Sequence, residues 1–259
     1  MTRAEARGAP AATALRGLAA VVFDTDGVLI DSARLHAAAW KTAFDAYLRD
    51  HPPSDPSRRH PFDLDDDYPR LVDGRSRLDG AAAFLTSRGF EPDPATVRAV
   101  ADAKERLFSA RIDEGAVAAY PGAVRLLRAL QEADVPRAAV SASRHARELL
   151  ARTGLTDLLD VLVDGAEAAR LRLPGKPDPA LFLEAARRLR VRPGRTAVVE
   201  DAPAGVEAGR RGGFALVVGV DRAGTEAARG RLLEHGAHLV VGDLADLVDE
   251  AAPTRGGAQ

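Results

Sequence analysis

The sequence predicts an α/β protein: a doubly wound, Rossmann-like parallel sheet core with a small helical cap domain inserted after the first strand. Two observations lead to this prediction. Short valine-rich runs alternate with helical patterns through the second half of the chain, which is typical of a parallel sheet with helices on both faces. The first run, Leu18–Phe23, is separated from the next by helical patterns only. We therefore interpret the intervening segment as a helical insert of roughly eighty residues.

The core strands are predicted from apolar runs flanked by polar residues, the pattern of a buried strand. After the first run, strands are predicted at Arg137–Ser141, Val161–Val163, Thr196–Glu200, Ala215–Val220 and, from a weaker pattern, His238–Val241. Helical patterns between them predict helices at Gly122–Ala133, Arg144–Thr153, Pro179–Leu189 and Ala202–Arg211. Strands and helices thus alternate, which favours a parallel sheet.

The insert carries three further helical patterns, at Arg34–Leu48, Leu78–Arg88 and Pro94–Ile112. Between the first two lies His51–Asp67, whose proline, aspartate and histidine residues predict a loop. The resulting division assigns residues 18–31 and 116–250 to the core and residues 32–115 to the cap domain. Residues 1–17 and 251–259 are predicted to be disordered tails.

The composition excludes several classes of function. The chain has 259 residues without a cysteine, which excludes disulfides, thiol nucleophiles and cysteine-bound metals. Its 36 basic and 38 acidic side chains give a net charge of −2, unlike the basic surface of a nucleic-acid-binding protein. Apolar runs stay below the ~20 residues of a membrane span, and the N-terminus lacks the features of a secretory signal. We expect a cytoplasmic protein with neither nucleic acid nor membrane as a partner.

Polar residues follow the ends of the predicted strands, where ligands bind in open parallel sheets. The first strand ends in Asp24-Thr25-Asp26-Gly27, the second in Ser141 and the fourth in Glu200-Asp201. Lys176 lies in a Gly-Lys-Pro-Asp-Pro segment just before a helix. We expect these carboxylates, the hydroxyl and the ammonium to meet at one edge of the sheet.

This set of residues has a coherent chemistry. Asp24 and Asp26 project to the same side of an extended chain, and two adjacent carboxylates repel unless a cation or a proton intervenes. With Glu200 and Asp201 they form an all-oxygen cluster, which favours Mg²⁺. A carboxylate beside Mg²⁺ is a plausible nucleophile towards phosphorus. Serine and the N–H groups that open the next helix can hold phosphate oxygens, and a lysine can neutralise the charge that develops in transfer.

Each feature alone has a structural alternative. An Asp-x-Asp-Gly segment is often a turn or part of a calcium loop, and Ser141 and Glu200-Asp201 can be helix caps. Lys176 before a proline is commonly a solvated charge, and a histidine such as His36 more often packs than catalyses. These alternatives leave unexplained why the residues follow successive strand ends in this order. Dinucleotide binding is disfavoured, because no Gly-x-Gly-x-x-Gly segment follows the first strand.

Over about residues 18–247, this ordered set resembles the haloacid dehalogenase superfamily of phosphotransferases. The segment Phe23-Asp24-Thr25-Asp26-Gly27-Val28-Leu29, followed by Ser141, Lys176 and Glu200-Asp201, carries the core resemblance. Within the superfamily, the chain resembles the β-phosphoglucomutase branch. That resemblance rests on the segment 31–41 with its His36 and Trp40-Lys41, on Gly74-Arg75-Ser76-Arg77, and on Tyr120-Pro121-Gly122.

The resemblance implies a role for each core residue. Asp24 would be the nucleophile that becomes phosphorylated, and Asp26 the general acid and base. Mg²⁺ would be bound by Asp24, the Asp26 carbonyl, Glu200 and Asp201. The transferring phosphoryl group would be held by Ser141, Ala142 and Lys176.

The resemblance also implies roles for residues of the cap. Arg77, in the Gly74-x-x-Arg77 loop, and Lys104 would contact the second phosphate or the sugar, and Trp40 belongs to the same cap signature. His36 would couple cap closure to Asp26. The chain departs from the family pattern at Thr25, where we expect only a change in packing, at Ala202, which replaces a common serine, and in its long 51–67 loop.

The expected activity is Mg²⁺-dependent isomerisation of β-glucose 1-phosphate to glucose 6-phosphate through the 1,6-bisphosphate, by a monomeric enzyme. The alternative is a phosphatase for a sugar phosphate or a related phosphomonoester, which uses the same aspartyl-phosphate and lets water complete the reaction. The cap favours the mutase, because Arg77 and Lys104 supply cations for a second phosphate. A sugar-phosphate sensor without catalysis is a third hypothesis, but a sensor would not need both Asp24 and Asp26.

Overall fold

The computed structural model describes residues 14–113 and 117–248. Its six strands are β1 (Ala20–Asp24), β2 (Arg137–Val140), β3 (Val161–Val163), β4 (Thr196–Glu200), β5 (Leu216–Val220) and β6 (Leu239–Val241). They form one sheet in the order β3-β2-β1-β4-β5-β6, and every pair is parallel. The predicted α/β fold is confirmed. Because the chain leaves β1 to build one half of the sheet and then returns to build the other, the topology changes direction between β1 and β4.

The described residues form nine α-helices. They are α1 (Ala33–Asp50), α2 (Arg77–Ser87), α3 (Pro94–Asp113), α4 (Pro121–Glu132), α5 (Ala146–Arg152), α6 (Gly165–Leu171), α7 (Ala180–Leu189), α8 (Pro203–Arg211) and α9 (Glu226–Glu234). The helices α6 and α9 were not among the predicted elements. Within residues 14–113 and 117–248, no helix is both long and apolar enough to cross a membrane.

The sheet separates two hydrophobic cores, since alternate residues of a strand face opposite sides. In β1, Val21 and Phe23 join one core, which includes residues of α3 and α4. Val22 joins the other core, together with residues of α7 and α8. Both faces of β1 are therefore covered, and its polar end at Asp24 emerges between them.

The helices α1 to α3 enclose a third core of their own. Phe44 lies at its centre, with ring centroids 3.9 Å from Phe84 and 5.0 Å from Phe62. Phe62 belongs to the predicted loop 51–67, which is irregular apart from a short 3₁₀ turn. Asp67, at the end of that loop, forms a buried ion pair with Arg88. The long loop is thus an integral part of the insert.

The two chain segments that join the insert to the core run side by side. The Asp31 N–H donates to the Ala118 carbonyl at 2.9 Å, and the Tyr120 N–H donates to the Leu29 carbonyl at 3.0 Å. Ile30 and Ala119 form an antiparallel bridge between them. The insert therefore leaves and re-enters the core at one point.

The predicted tails fall largely on residues 1–13 and 249–259, which lie outside the described residues. Residues 14–17 form a turn, in which Leu15 packs partly against the core. The domain boundaries given above stay a prediction.

Candidate active site

The carboxylates at the ends of β1 and β4 lie together at the point where the topology changes direction. Asp24 ends β1, Glu200 ends the adjacent β4, and both side chains are buried. Gly27 makes the following turn with φ +79°, and a Cβ at this position would lie 1.8 Å from Asp201 Oδ2. Only glycine allows the Asp201 carboxylate to approach the turn after Asp26 this closely.

Lys176 lies between two of these carboxylates. Its ammonium, whose side chain is wholly buried, donates to both Asp24 and Glu200. Burial lowers the pKa of Lys176, but the two carboxylates outweigh burial and raise it above its ordinary value. Burial, Glu200 and Asp26 raise the pKa of Asp24 despite the opposing effect of Lys176. A single cation therefore only partly balances the negative charge at this strand end.

Asp73 adds a carboxylate that sequence analysis missed. It directly follows a π-helical turn in the insert, Tyr68–Val72, and lines the same cavity as Asp24 and Asp201. Burial and the charge of Glu200 raise the pKa of Asp73 to about 7, although a hydrogen bond from the Tyr68 hydroxyl opposes this shift. The sequence feature that could have indicated Asp73 as a site residue is its position immediately before Gly74.

The donor set fits a hard divalent cation. Asp24, Asp73, Glu200 and Asp201 supply oxygen ligands, and burial together with mutual repulsion raises the pKa of Asp24, Asp73 and Asp201. A bound cation such as Mg²⁺ would relieve this repulsion. Over residues 14–113 and 117–248, no three acidic or histidine side chains are already arranged as a metal site. The predicted ligand set, Asp24, Asp26, Glu200 and Asp201, stays a prediction.

Asp26 is held by three donors from different elements. Its Oδ1 accepts hydrogen bonds from Ser32 Oγ at 2.5 Å and from His36 Nε2 at 3.2 Å, and its Oδ2 accepts from Ser141 Oγ at 2.9 Å. Burial opposes ionisation, but these donors together hold the pKa of Asp26 well below its ordinary range. In this arrangement Asp26 is a carboxylate with both of its oxygens held by hydrogen-bond donors.

A hydrogen-bonded chain connects Asp26 through His36 to Lys104 on α3. Lys104 Nζ donates to His36 Nδ1 at 2.9 Å, so the ring carries its proton on Nε2, facing Asp26. Phe108 stacks on the His36 ring at 3.8 Å. Burial lowers the pKa of Lys104 to about 8 and, together with Lys104, lowers the pKa of His36. The predicted pairing of His36 with Asp26 is present in the structure.

Core and insert residues together line a cavity of about 70 Å³ at this site. Nine of the predicted site residues line it: Asp24, Asp26, His36, Trp40, Gly74, Arg77, Lys104, Ala142 and Asp201. The other three predicted residues contact the lining residues. Ser141 donates to Asp26, and Lys176 donates to both Asp24 and Glu200. Lining residues without a predicted role include Arg75, which is part of the quoted motif at residues 74–77, and Arg144. Arg77 Nη1 is 2.5 Å from Asp102 Oδ1, so its charge is partly balanced within the insert.

The two single-residue departures leave the site intact. Thr25 is buried and its hydroxyl donates to the Val140 carbonyl at 2.9 Å, on the neighbouring strand. Its side chain therefore belongs to sheet packing, as expected. The Ala202 N–H donates to Glu200 Oε2 at 2.7 Å, so the backbone at this position still fixes the carboxylate.

Comparison with known proteins identifies the family. The family model of haloacid dehalogenase-like hydrolases matches residues 18–213. The chain belongs to the haloacid dehalogenase superfamily. It is 41% identical to the β-phosphoglucomutase of Mycobacterium bovis over 238 residues, which cover 88% of this chain and 91% of that one. This similarity places it in the β-phosphoglucomutase-like branch of the superfamily.

Other relatives in the superfamily are phosphatases and hydrolases. The validoxylamine A 7'-phosphate phosphatase of Streptomyces hygroscopicus is 32% identical, covering 76% of this chain and 83% of that one. The crystal structure of a haloacid dehalogenase family hydrolase from Deinococcus radiodurans, with bound phosphate and sodium, superposes with a TM-score of 0.61 at 32% identity. It covers 89% of this chain and 93% of that one. The chain is thus a phosphoryl-transfer enzyme of the superfamily.

Proposed function

We propose that this haloacid dehalogenase enzyme is a Mg²⁺-dependent β-phosphoglucomutase, which converts β-glucose 1-phosphate to glucose 6-phosphate through the 1,6-bisphosphate. One observation carries the proposal: the cavity above Asp24 and Asp26 is also lined by Arg75, Arg77 and Lys104 from the insert. A nucleophile at one end and cations at the other suit a substrate that carries two phosphates.

In the proposed reaction, Asp24 attacks the phosphorus, and the bond from phosphorus to the sugar oxygen breaks. Asp26 gives a proton to that leaving oxygen in one half-reaction and takes a proton from the incoming hydroxyl in the other. Ser141, the Ala142 N–H and Lys176 hold the phosphoryl oxygens. Bound Mg²⁺, on Asp24, the Asp26 carbonyl, Glu200 and Asp201, would supply charge stabilisation.

The proposed reaction includes a movement of the insert. The cavity above Asp24 and Asp26 measures about 70 Å³, below the ~300–1,000 Å³ of ordinary small-molecule sites, and a cavity of about 700 Å³ lined by Arg77, Ala142 and Lys176 lies beside it. Opening would admit the sugar phosphate, and closure would restore the contact between His36 and Asp26. While closed, the insert would keep water from the aspartyl-phosphate, which a mutase requires and a phosphatase does not.

The similarity to a phosphatase keeps sugar-phosphate hydrolysis as the second candidate. A phosphorus NMR time course with β-glucose 1-phosphate, Mg²⁺ and a trace of glucose 1,6-bisphosphate distinguishes the two. Accumulation of glucose 6-phosphate supports the mutase, whereas inorganic phosphate as the sole product contradicts it and supports the phosphatase.

Arg77 provides a second test. Arg77→Ala should weaken productive use of the bisphosphate by about 1.5–3 kcal/mol, the value of a charge-assisted hydrogen bond. Phosphorylation of Asp24 by acetyl phosphate, which has no second phosphate, should be nearly unchanged. Arg98→Ala, at an exposed position on α3, is the matched control and should affect neither donor. Equal losses with both donors would assign Arg77 to the fold, and no loss with either would favour the phosphatase.

A further inference from the structure

His145 connects the core to the insert beside the active site. It follows the Ser141–Arg144 turn and caps α5, yet its ring faces α3. His145 Nε2 lies 3.1 Å from Glu105 Oε1 and 3.4 Å from Ser109 Oγ. The Phe108 ring meets the His145 ring edge-on, with centroids 5.4 Å apart. One core side chain thus contacts three residues, at positions 105, 108 and 109, on one face of an insert helix.

The other end of α5 makes a second connection to α3. Arg152 Nη1 donates to the Ile112 carbonyl at 3.1 Å, in the last turn of α3. Arg152 also pairs with Glu148 at 2.6 Å, and Glu148 lies 3.5 Å from His145 Nδ1. The short helix α5 therefore contacts the insert at both ends. Among the residues that form these contacts, His145 is the one whose ordinary pKa lies near neutral pH.

The charged groups around His145 come from both sides of the contact. On the core side they are Glu148 and Arg152. On the insert side Glu105 faces the ring, with Lys104 Nζ 3.9 Å from its carboxylate and the charge of Arg77 acting on it. Although burial opposes it, the hydrogen bond from His145 and the nearby cations lower the pKa of Glu105 to about 2.

The same hydrogen bond to Glu105 raises the pKa of His145 above its ordinary value of 6.5. The pair is therefore ionic at mildly acid pH. As pH rises through the raised pKa, His145 loses its positive charge and the attraction to Glu105 and Glu148 weakens.

We propose that the His145–Glu105 pair is a latch that holds the insert closed over the Ser141–Arg144 turn and weakens as the medium becomes alkaline. His145 is a positioning residue in this scheme, since it acts through the insert. The latch concerns the movement of the insert alone, so it applies equally to a mutase and to a phosphatase.

Trp40 provides the measurement without any substrate. It is the chain's single tryptophan, it is 4% exposed, and it lines the shared cavity. Trp40 stacks on Phe44 within the insert, and opening the insert makes the part of its indole that lines the cavity accessible to a quencher. Acrylamide quenching of Trp40 in the wild-type protein should rise between about pH 5.5 and pH 9, with a midpoint above the usual histidine value. A half-buried ion pair of this kind should change the closed-to-open ratio by about two- to fivefold.

Two substitutions of His145 should act in opposite directions. His145→Gln removes the charge, so quenching should stay at the high, alkaline level throughout the pH range. His145→Arg keeps a positive charge at every pH, so quenching should stay at the low level. Glu105→Gln should match His145→Gln, and combining the two should add little.

The matched control is His235→Gln. His235 Nδ1 lies 3.7 Å from Glu207 Oε2, a longer histidine–glutamate pair whose two members both belong to core helices, α8 and α9. This variant should keep the wild-type pH dependence. A pH-dependent rise that persists in both His145 variants would overturn the proposal and assign the titration to Lys104 or His36. A wild-type protein without any rise would overturn it as well.

Discussion

Replacing Lys176 by methionine should lower the unfolding free energy of the metal-free protein by about 3–5 kcal/mol, the cost of removing one partner from a buried ion pair. The Lys176 side chain is wholly buried, and its ammonium is shared by Asp24 and Glu200. Methionine fills much of the same volume. The loss therefore arises from buried carboxylates that no longer face a cation.

For a chain of this size, 1 kcal/mol corresponds to about 2–4 °C in the melting temperature. Lys176→Met should thus melt roughly 6–20 °C below the wild type in EDTA, as measured by calorimetry. Added Mg²⁺ should restore part of the difference, because a divalent cation supplies charge to the same carboxylates.

Lys41→Met is the matched control. Lys41 pairs with Asp45 at 3.0 Å, but its side chain is 40% exposed, so the same substitution should lower the unfolding free energy by about 1 kcal/mol or less. If the two variants melted within about 2 °C of each other, the charge balance described for Lys176 would be wrong.

Three further predictions concern catalysis. Asp24→Asn should abolish both mutase and phosphatase activity and leave no phosphorylated protein after acid quenching; turnover without deamidation would exclude the aspartyl-phosphate. Asp26→Asn should slow transfer by ~10²–10⁴ while leaving Mg²⁺ binding measured by calorimetry largely intact, and an unchanged kcat would contradict its acid–base role. Burial lowers the pKa of Lys104 to about 8, so it is cationic below and neutral above that pH. Accordingly, kcat/KM for β-glucose 1-phosphate should fall as pH rises through about 8, and Lys104→Arg should move the fall to higher pH; an unshifted profile would assign it to another group.

The core of the fold was predictable because its strands are short runs of valine and alanine that the sheet buries on both faces. The helices α6 and α9 were missed for the opposite reason. The residues of α6 are half-buried or exposed, and α9 buries Leu232 while its neighbours stay at the surface. Such helices have no apolar stripe, so their sequences lack the periodic signal that indicates a helix.

The residues of the site likewise divide into those that the sequence could predict and those that it could not. Asp24, Asp26, Ser141 and Glu200 were predictable because parallel strands end at one edge, which fixes their proximity. Asp73 reaches the cavity only because a π-helical turn precedes it and the insert folds back on the core. That placement depends on tertiary packing, which residue spacing does not encode.

The paired chain segments at Leu29–Asp31 and Ala118–Tyr120 have a consequence for protein engineering. Since they are hydrogen-bonded neighbours, the two ends of the insert lie side by side where it joins the core. A different helical unit grafted at residues 31 and 118 would arrive above Asp24 with both of its ends already anchored. Such a unit would also have to replace Phe108 and Ile112 of α3, which pack in the core on one face of the sheet, while the side chains at the strand ends stay in place.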